Sequence, residues 1–196
     1  MSGKQAKVLA PGEQRRFLSA AGRGRLPERD RVMVLFAIRA GLRAREVANL
    51  TWGMVLDPSG NVAAVIEVRD DIAKRGSGRR VPMHPQLRQA LILLRRKLSV
   101  EHRHADAVIV RSLRGHALRP NSVVNWFIAR CREAGLQGCS SHSGRRTFIT
   151  KAARAAHRAG ASLRDVQMLA GHRSIETTQG YIDGDTFAQR RLVSLI

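Results

Sequence analysis

Residues 62–83 read VAAVIEVRDDIAKRGSGRRVPM, and this stretch decides the fold class. Val62–Val68 is β-branched and apolar enough to pair as a strand. Lys74-Arg-Gly-Ser-Gly-Arg79 is a turn by its two glycines, and Arg80–Met83 returns as a second strand. The segments on both sides read as helices. The expectation is a mainly α protein with a small antiparallel β-sheet, an α+β fold.

Working outward towards the N-terminus, residues 11–21 form a helix opened by Pro11, with Phe17, Leu18 and Ala21 on one face. Residues 27–40 (PERDRVMVLFAIRA) form a second, whose apolar run Val32–Ile38 implies burial on most sides. Gly41 ends it and Arg43–Leu50 resumes as helix. On the other side, helix 86–98 carries Leu87, Ala90, Leu91, Leu94 and Leu98 on one stripe. Helix 121–134 turns Val123, Val124, Phe127, Ile128 and Cys131 inward. His142–Ala159 is a further helix, Ser162-Leu-Arg-Asp165 opens another at 163–169 as a capping box, and short helices follow at 174–181 and 185–194.

With 196 residues and 43% apolar content, the chain can bury a core, read as one domain over 1–196. Its 35 Lys+Arg against 15 Asp+Glu give a net charge of +20. Such an excess selects a polyanion as partner, because each neutralised phosphate releases condensed counterion. The apolar segments are shorter than a membrane span and no signal-peptide core opens the chain, so the expected location is cytoplasmic, with the nucleoid, and no membrane partner. Cys131 and Cys139 stand without a metal-ligand pattern and read as reduced thiols. No zinc site, GxGxxG or P-loop is present, so the expected chemistry uses no metal and no cofactor.

A basic chain whose composition suits DNA binding, with one tyrosine, Tyr181, invites a specific chemical question. Attack of a phenol on a phosphodiester needs fixed cations on the non-bridging oxygens. It also needs a group to take the phenolic proton and one to protonate the leaving oxygen. Arginine serves the first need but cannot deliver a proton, whereas lysine and histidine can. Lys74 therefore stands out in a chain with 30 arginines and 5 lysines. Arg43 follows a Gly-Leu pair at a helix start, and Glu46, at i+3, either orients it or is an ordinary surface partner. His142 and Arg145 share a helical face, and His172 follows Gly171. Taken singly, each is an ordinary basic surface or capping residue.

Their joint order resembles the catalytic set of the tyrosine recombinase (phage integrase) family. AGLRAREVANLTW looks like that family's first-arginine box, KRGSGRRVPM like its lysine hairpin, and SHSGRRTFIT with LAGHRSIETTQGYI like its second box. The resemblance runs from about residue 9 to the end and implies the family's catalytic-domain fold. It further implies site-specific recombination of double-stranded DNA, for integration, excision or inversion. On this likeness Tyr181 is the nucleophile that forms a 3′-phosphotyrosyl link. Arg43 and Arg145 hold the non-bridging oxygens, His172 adds a hydrogen-bond donor, His142 assists proton removal and Lys74 protonates the leaving 5′-oxygen. The partners implied are a homo-tetramer on DNA and an accessory protein supplying clamp function. Two other readings remain open: a binding-only relative, and a type IB topoisomerase-like enzyme.

The sequence departs from the family pattern in two places. Ser143-Gly144-Arg145-Arg146 stands where Asp-Leu-Arg-His is common, so Gly144 is expected to loosen the helix start. The pattern also begins within about ten residues of Met1, which implies a catalytic domain without the N-terminal core-binding domain. The tail Ile182–Ile196 packs on its own domain or on a neighbouring protomer.

Overall fold

The computed structural model describes residues 6–182 and 193–194. Eight α-helices and one two-stranded sheet are formed among them: α1 (Pro11–Ala21), α2 (Pro27–Arg39), α3 (Ala44–Asn49), β1 (Val65–Val68), β2 (Arg79–Pro82), α4 (Pro85–Lys97), α5 (Pro120–Glu133), α6 (Ser141–Ala156), α7 (Leu163–Ala170) and α8 (Ile175–Gln179). Proline sits in the first turn of α1, α2, α4 and α5, where its fixed φ suits the helix and its missing N–H costs nothing. Among the described residues no helix is long and apolar enough to cross a membrane.

α2 is the axis of the domain. Val32 through Ile38 are all buried, because α1, α4 and α6 pack around it. That is the burial on most sides which the unbroken apolar run implies. α3 and α1 lie on α5, whose Phe127 sits 6.0 Å from the ring of Phe17. The sheet is an antiparallel hairpin in the register Val65↔Pro82 to Val68↔Arg79. A smaller cluster of Ile149, Val166 and Ala170, with Phe148, Leu163 and Tyr181 against it, joins α6 to the end of the chain.

The observed elements follow the expected ones, with shifts at the ends. The first strand is shorter than 62–68, because Leu56 and Val62 instead form an isolated bridge that turns the chain. α6 stops at Ala156, and residues 157–159 continue as a tighter 3-10 turn ending at Gly160. The helix expected at 174–181 is the five-residue α8, capped by Ser174, which accepts from the Thr177 amide at 3.4 Å. The helix expected at 185–194 lies, but for its last two residues, outside the described residues.

Gly144 does not loosen the start of α6. A Cβ there would stand 2.6 Å from Cβ of Ala37, so its absence lets α6 lie directly on α2. The helix start is held independently, by Ser140 accepting from the His142 amide at 3.3 Å and Ser143 Oγ accepting from the Ser140 amide at 3.0 Å.

Candidate active site

The site begins with the turn between α2 and α3. Gly41 adopts φ +63°, a left-handed conformation, and its α-carbon abuts the ring of Phe148, so a side chain would be both strained and blocked. The turn lets Arg43 open α3, where its amide donates to Glu46 Oε2 at 2.8 Å and its Nη1 to Glu46 Oε1 at 2.9 Å. Glu46 is fully buried and is no ordinary surface partner. It also receives Arg79 from β2, Nη1 at 2.9 Å and Nη2 at 3.0 Å. Burial alone would raise the Glu46 carboxyl, but the hydrogen bonds and charge of Arg79, then those of Arg43, hold it below the usual carboxylate range.

Arg145 enters from α6. Its Nη1 donates to the Gly41 carbonyl at 2.6 Å and its Nη2 to the Ala170 carbonyl at 2.6 Å. One guanidinium thus ties the α2–α3 turn to the end of α7. Burial, then the nearby charges of Arg43 and Arg79, lower its pKa to about 10, which leaves it charged at neutral pH.

His172 follows Gly171 and does not face the cleft directly. Its Nε2 lies 3.0 Å from Arg145 Nη2 and its Nδ1 3.0 Å from Thr178 Oγ1. A guanidinium can only donate, so Nε2 carries no proton and Nδ1–H donates to Thr178. Burial, then Arg145, Arg43 and Arg79, push this imidazole from its ordinary 6.5 down to about 4. The ring is therefore neutral at neutral pH, and it accepts through Nε2 in this state.

Tyr181 closes the set. Its ring stacks on His172 with centroids 5.3 Å apart and planes at 25°, and Arg146 Cζ lies 5.8 Å from its centroid. Thr150 Oγ1 holds its carbonyl at 3.0 Å. Lys74 reaches the same region from the long loop between β1 and β2. That loop is pinned from two sides: Arg45 donates to the Asp71 carbonyl at 3.1 Å, and Arg173 to the Arg75 carbonyl at 2.7 Å. Arg43, Lys74, His142, Arg145 and Tyr181 together line one cleft of about 430 Å³, with Ser141, Arg45 and Val124 among its walls. His172 sits behind Arg145, adjacent to that cleft.

Sequence reasoning missed Arg79 and Thr178. Arg79 carried a signal: it shares a face with buried Val81, two residues on in β2, while Arg80 faces out, which places Arg79 on the inner face. Thr178 gave none, being one polar residue in a short helix. Among the described residues no group of three or more His, Cys, Asp or Glu side chains could hold a metal ion.

This architecture and this grouping of residues can be set beside known proteins. Residues 7–186 match the phage integrase family. The chain belongs to that family. Tyrosine recombinase XerC of Myxococcus xanthus is 29% identical over 161 residues, covering 78% of this chain and 49% of the relative. The chain thus spans about half the length of the curated relatives it matches. Among solved structures, XerA recombinase aligns with a TM-score of 0.73 at 24% identity, over 100% of this chain and 65% of that one. The Tn1549 transposon integrase in complex with a circular intermediate DNA gives 0.76 at 20%, over 98% and 66%. XerH site-specific recombinase bound to palindromic difH substrate gives 0.74 at 21%, over 98% and 54%. The fold is that of the tyrosine recombinase catalytic domain, mostly helical with a two-stranded antiparallel sheet.

Proposed function

We propose that this chain cleaves and rejoins strands of double-stranded DNA as a site-specific tyrosine recombinase, through a 3′-phosphotyrosyl intermediate. The observation that carries the reading is the shared cleft. Arg43, Lys74, His142 with Arg145, and Tyr181 come from four separate segments and converge on one cavity large enough for a phosphodiester.

In this mechanism the scissile phosphate enters between Arg43 and Arg145, whose guanidiniums take its non-bridging oxygens and stabilise the charge that grows there. The Tyr181 Oη–phosphorus bond forms as the bond from phosphorus to the 5′-oxygen breaks. The phenolic proton passes to His142, and Lys74 supplies the proton that the leaving 5′-oxygen takes up. Attack by another strand's 5′-hydroxyl reverses the steps, so the bond energy is kept in the phosphotyrosine. His172 serves this phosphate by orienting Arg145 and Tyr181. An incoming phosphate anion offsets the arginine charges that depress its pKa, which favours a proton on Nε2 and turns it into a donor.

The proposed partners are double-stranded DNA, further copies of this chain forming a tetramer on it, and an accessory protein acting as the other half of a clamp. The test uses duplexes nicked near candidate sites, so that cleavage releases a short strand and traps the product. A denaturant-resistant adduct with wild type and none with Tyr181→Phe is the expected result. DNA binding without an adduct in either protein would overturn strand transfer in favour of a binding-only role. Relaxation of arbitrary supercoiled plasmids would favour the topoisomerase-like reading.

A further inference from the structure

A second basic cavity lies away from the cleft. It is lined by Asp57, Gly60, Asn61, Val62 and, from α4 and the segment after it, Arg88, Arg95, Arg96 and Arg103, and has a volume of about 410 Å³. It shares no lining residue with the cleft that holds Tyr181. Val62 precedes β1 and Lys74 follows it, so the two cavities sit at opposite ends of the hairpin.

Four guanidiniums line it together with a single carboxylate, Asp57. Asp57 Oδ1 accepts from the Asn61 amide at 2.8 Å, inside its own turn. None of the four arginines enters an ion pair among the described residues. Part of their hydrogen-bonding capacity braces the chain: Arg88 donates to the Val62 carbonyl at 3.0 Å, Arg95 to Gly60 at 2.9 Å, and Arg103 to Leu98 at 2.7 Å. Arg95 also donates to the Arg103 carbonyl at 3.3 Å and lies over the Trp52 ring, and Arg103 also donates to the Arg96 carbonyl at 3.0 Å, which leaves the outer nitrogens of Arg88 and the whole fork of Arg96 unengaged among the described residues. Arg95 Nε is buried without a hydrogen-bond partner, and Arg96 stands exposed at the rim. Like charges gathered in a concavity repel one another and concentrate a field that attracts an anion. Planar forks of donors match phosphate oxygens bidentately.

We infer that this pocket is a phosphate-binding site that grips the sugar–phosphate backbone of DNA outside the reacting cleft. It rests on the reading of the chain as a DNA-acting protein. Half-buried Arg95 and Arg103 form its floor, and exposed Arg88 and Arg96 its rim, so the site is open enough for a polymer backbone to cross.

The salt dependence of duplex binding tests it. Each phosphate contact contributes about 0.9 to the slope of log K against log salt. Arg96→Gln is expected to lower the slope by ~1, and Arg88→Gln with Arg96→Gln by ~2. Adduct formation on nicked duplex at low salt is expected to stay at the wild-type level in both. Melting curves show whether each variant folds, and if the double variant does not, the exposed single change decides. An unchanged slope in folded Arg96→Gln overturns the inference. So does competition by inorganic phosphate alone with the duplex slope unaltered, which would assign the pocket to a free anion. If wild type forms no adduct at all, the strand-transfer reading fails while the slope comparison still stands.

Discussion

Arg79 and Glu46, 33 residues apart, meet through two parallel hydrogen bonds of 2.9 and 3.0 Å in the interior. Their side chains are 5% and 0% exposed. This contact joins the first strand residue after the Lys74 loop to the helix that Arg43 opens. Arg79 Nε extends it by donating to the Leu169 carbonyl at 2.8 Å. Three parts of the candidate site are thereby held in one rigid frame.

Replacing the carboxylate by an amide would leave two guanidiniums, one of them buried, without their counter-charge and with one acceptor oxygen fewer. Breaking such a pair from one side costs about 3–5 kcal/mol, more than the pair itself contributes relative to an apolar substitute. Glu46→Gln is expected to lower stability by an amount in that range in urea denaturation. A loss under ~1 kcal/mol would mean that Arg79 finds solvent or another acceptor.

His172 makes stability depend on pH. Its folded pKa, about 4, lies below the ordinary 6.5, so the unfolded chain binds more protons between these values. The contribution is fully present above about pH 6.5 and is lost progressively as pH falls towards 4. Glu46, also depressed, adds loss in the acid range below the usual carboxylate pKa. Melting temperature measured across pH 4–7 is expected to fall more steeply in wild type than in His172→Gln. Parallel curves would contradict the neutral, buried imidazole.

Gly144→Ala pits two effects against each other. Replacing glycine by alanine inside a helix gains roughly 1 kcal/mol of propensity. The new methyl would stand 2.6 Å from Cβ of Ala37 and force α6 off α2, and overpacking of this kind costs about 1–3 kcal/mol. Net destabilisation is expected in chemical denaturation. Net stabilisation would show that the two helices separate easily.

Tyr181→Phe is expected to separate chemistry from stability. The contacts that place the ring are its stacking on His172 and the nearby Arg146 guanidinium, both available to phenylalanine. Unfolding free energy should stay within ~0.5 kcal/mol of wild type while the covalent adduct disappears. A large loss of stability would assign the hydroxyl a structural hydrogen bond.

The sequence makes helix starts legible because proline and capping serines act locally. Pro11, Pro27, Pro85 and Pro120 each mark the first residue of a helix, and Ser162 with Asp165 forms the expected capping box, amide to carboxylate at 2.8 Å. The grouping of Arg43, Lys74, His142, Arg145 and Tyr181 was legible through motif order. What stayed hidden depends on three-dimensional approach. Among thirty arginines, nothing in the sequence singles out Arg79 as buried against an acid. Glu46 reads equally as an orienting or a surface i+3 partner of Arg43, and only the strand that covers it from elsewhere decides for the first. Gly144 read as a flaw in a helix because the surface it touches, Ala37, lies more than a hundred residues earlier. The stretch between α4 and α5 has no periodicity to read, and it folds as a 3-10 turn and isolated bridges, one of them Thr51↔Val108.

Tyr181 belongs to the minor cluster of Ile149, Val166 and Ala170, not to the main core around α2. The segment that carries it is thus anchored by a few contacts on α6 and α7, while the arginines are set by the main core. Opening of α8 can then proceed as a sub-global event that leaves the phosphate-facing frame, which includes the end of α7, closed. In hydrogen exchange, the amides near Tyr181 would report a smaller opening free energy than those of α2. The domain would pair a stiff receptor with a loosely tethered attacking group, so that reach and grip can change independently of one another.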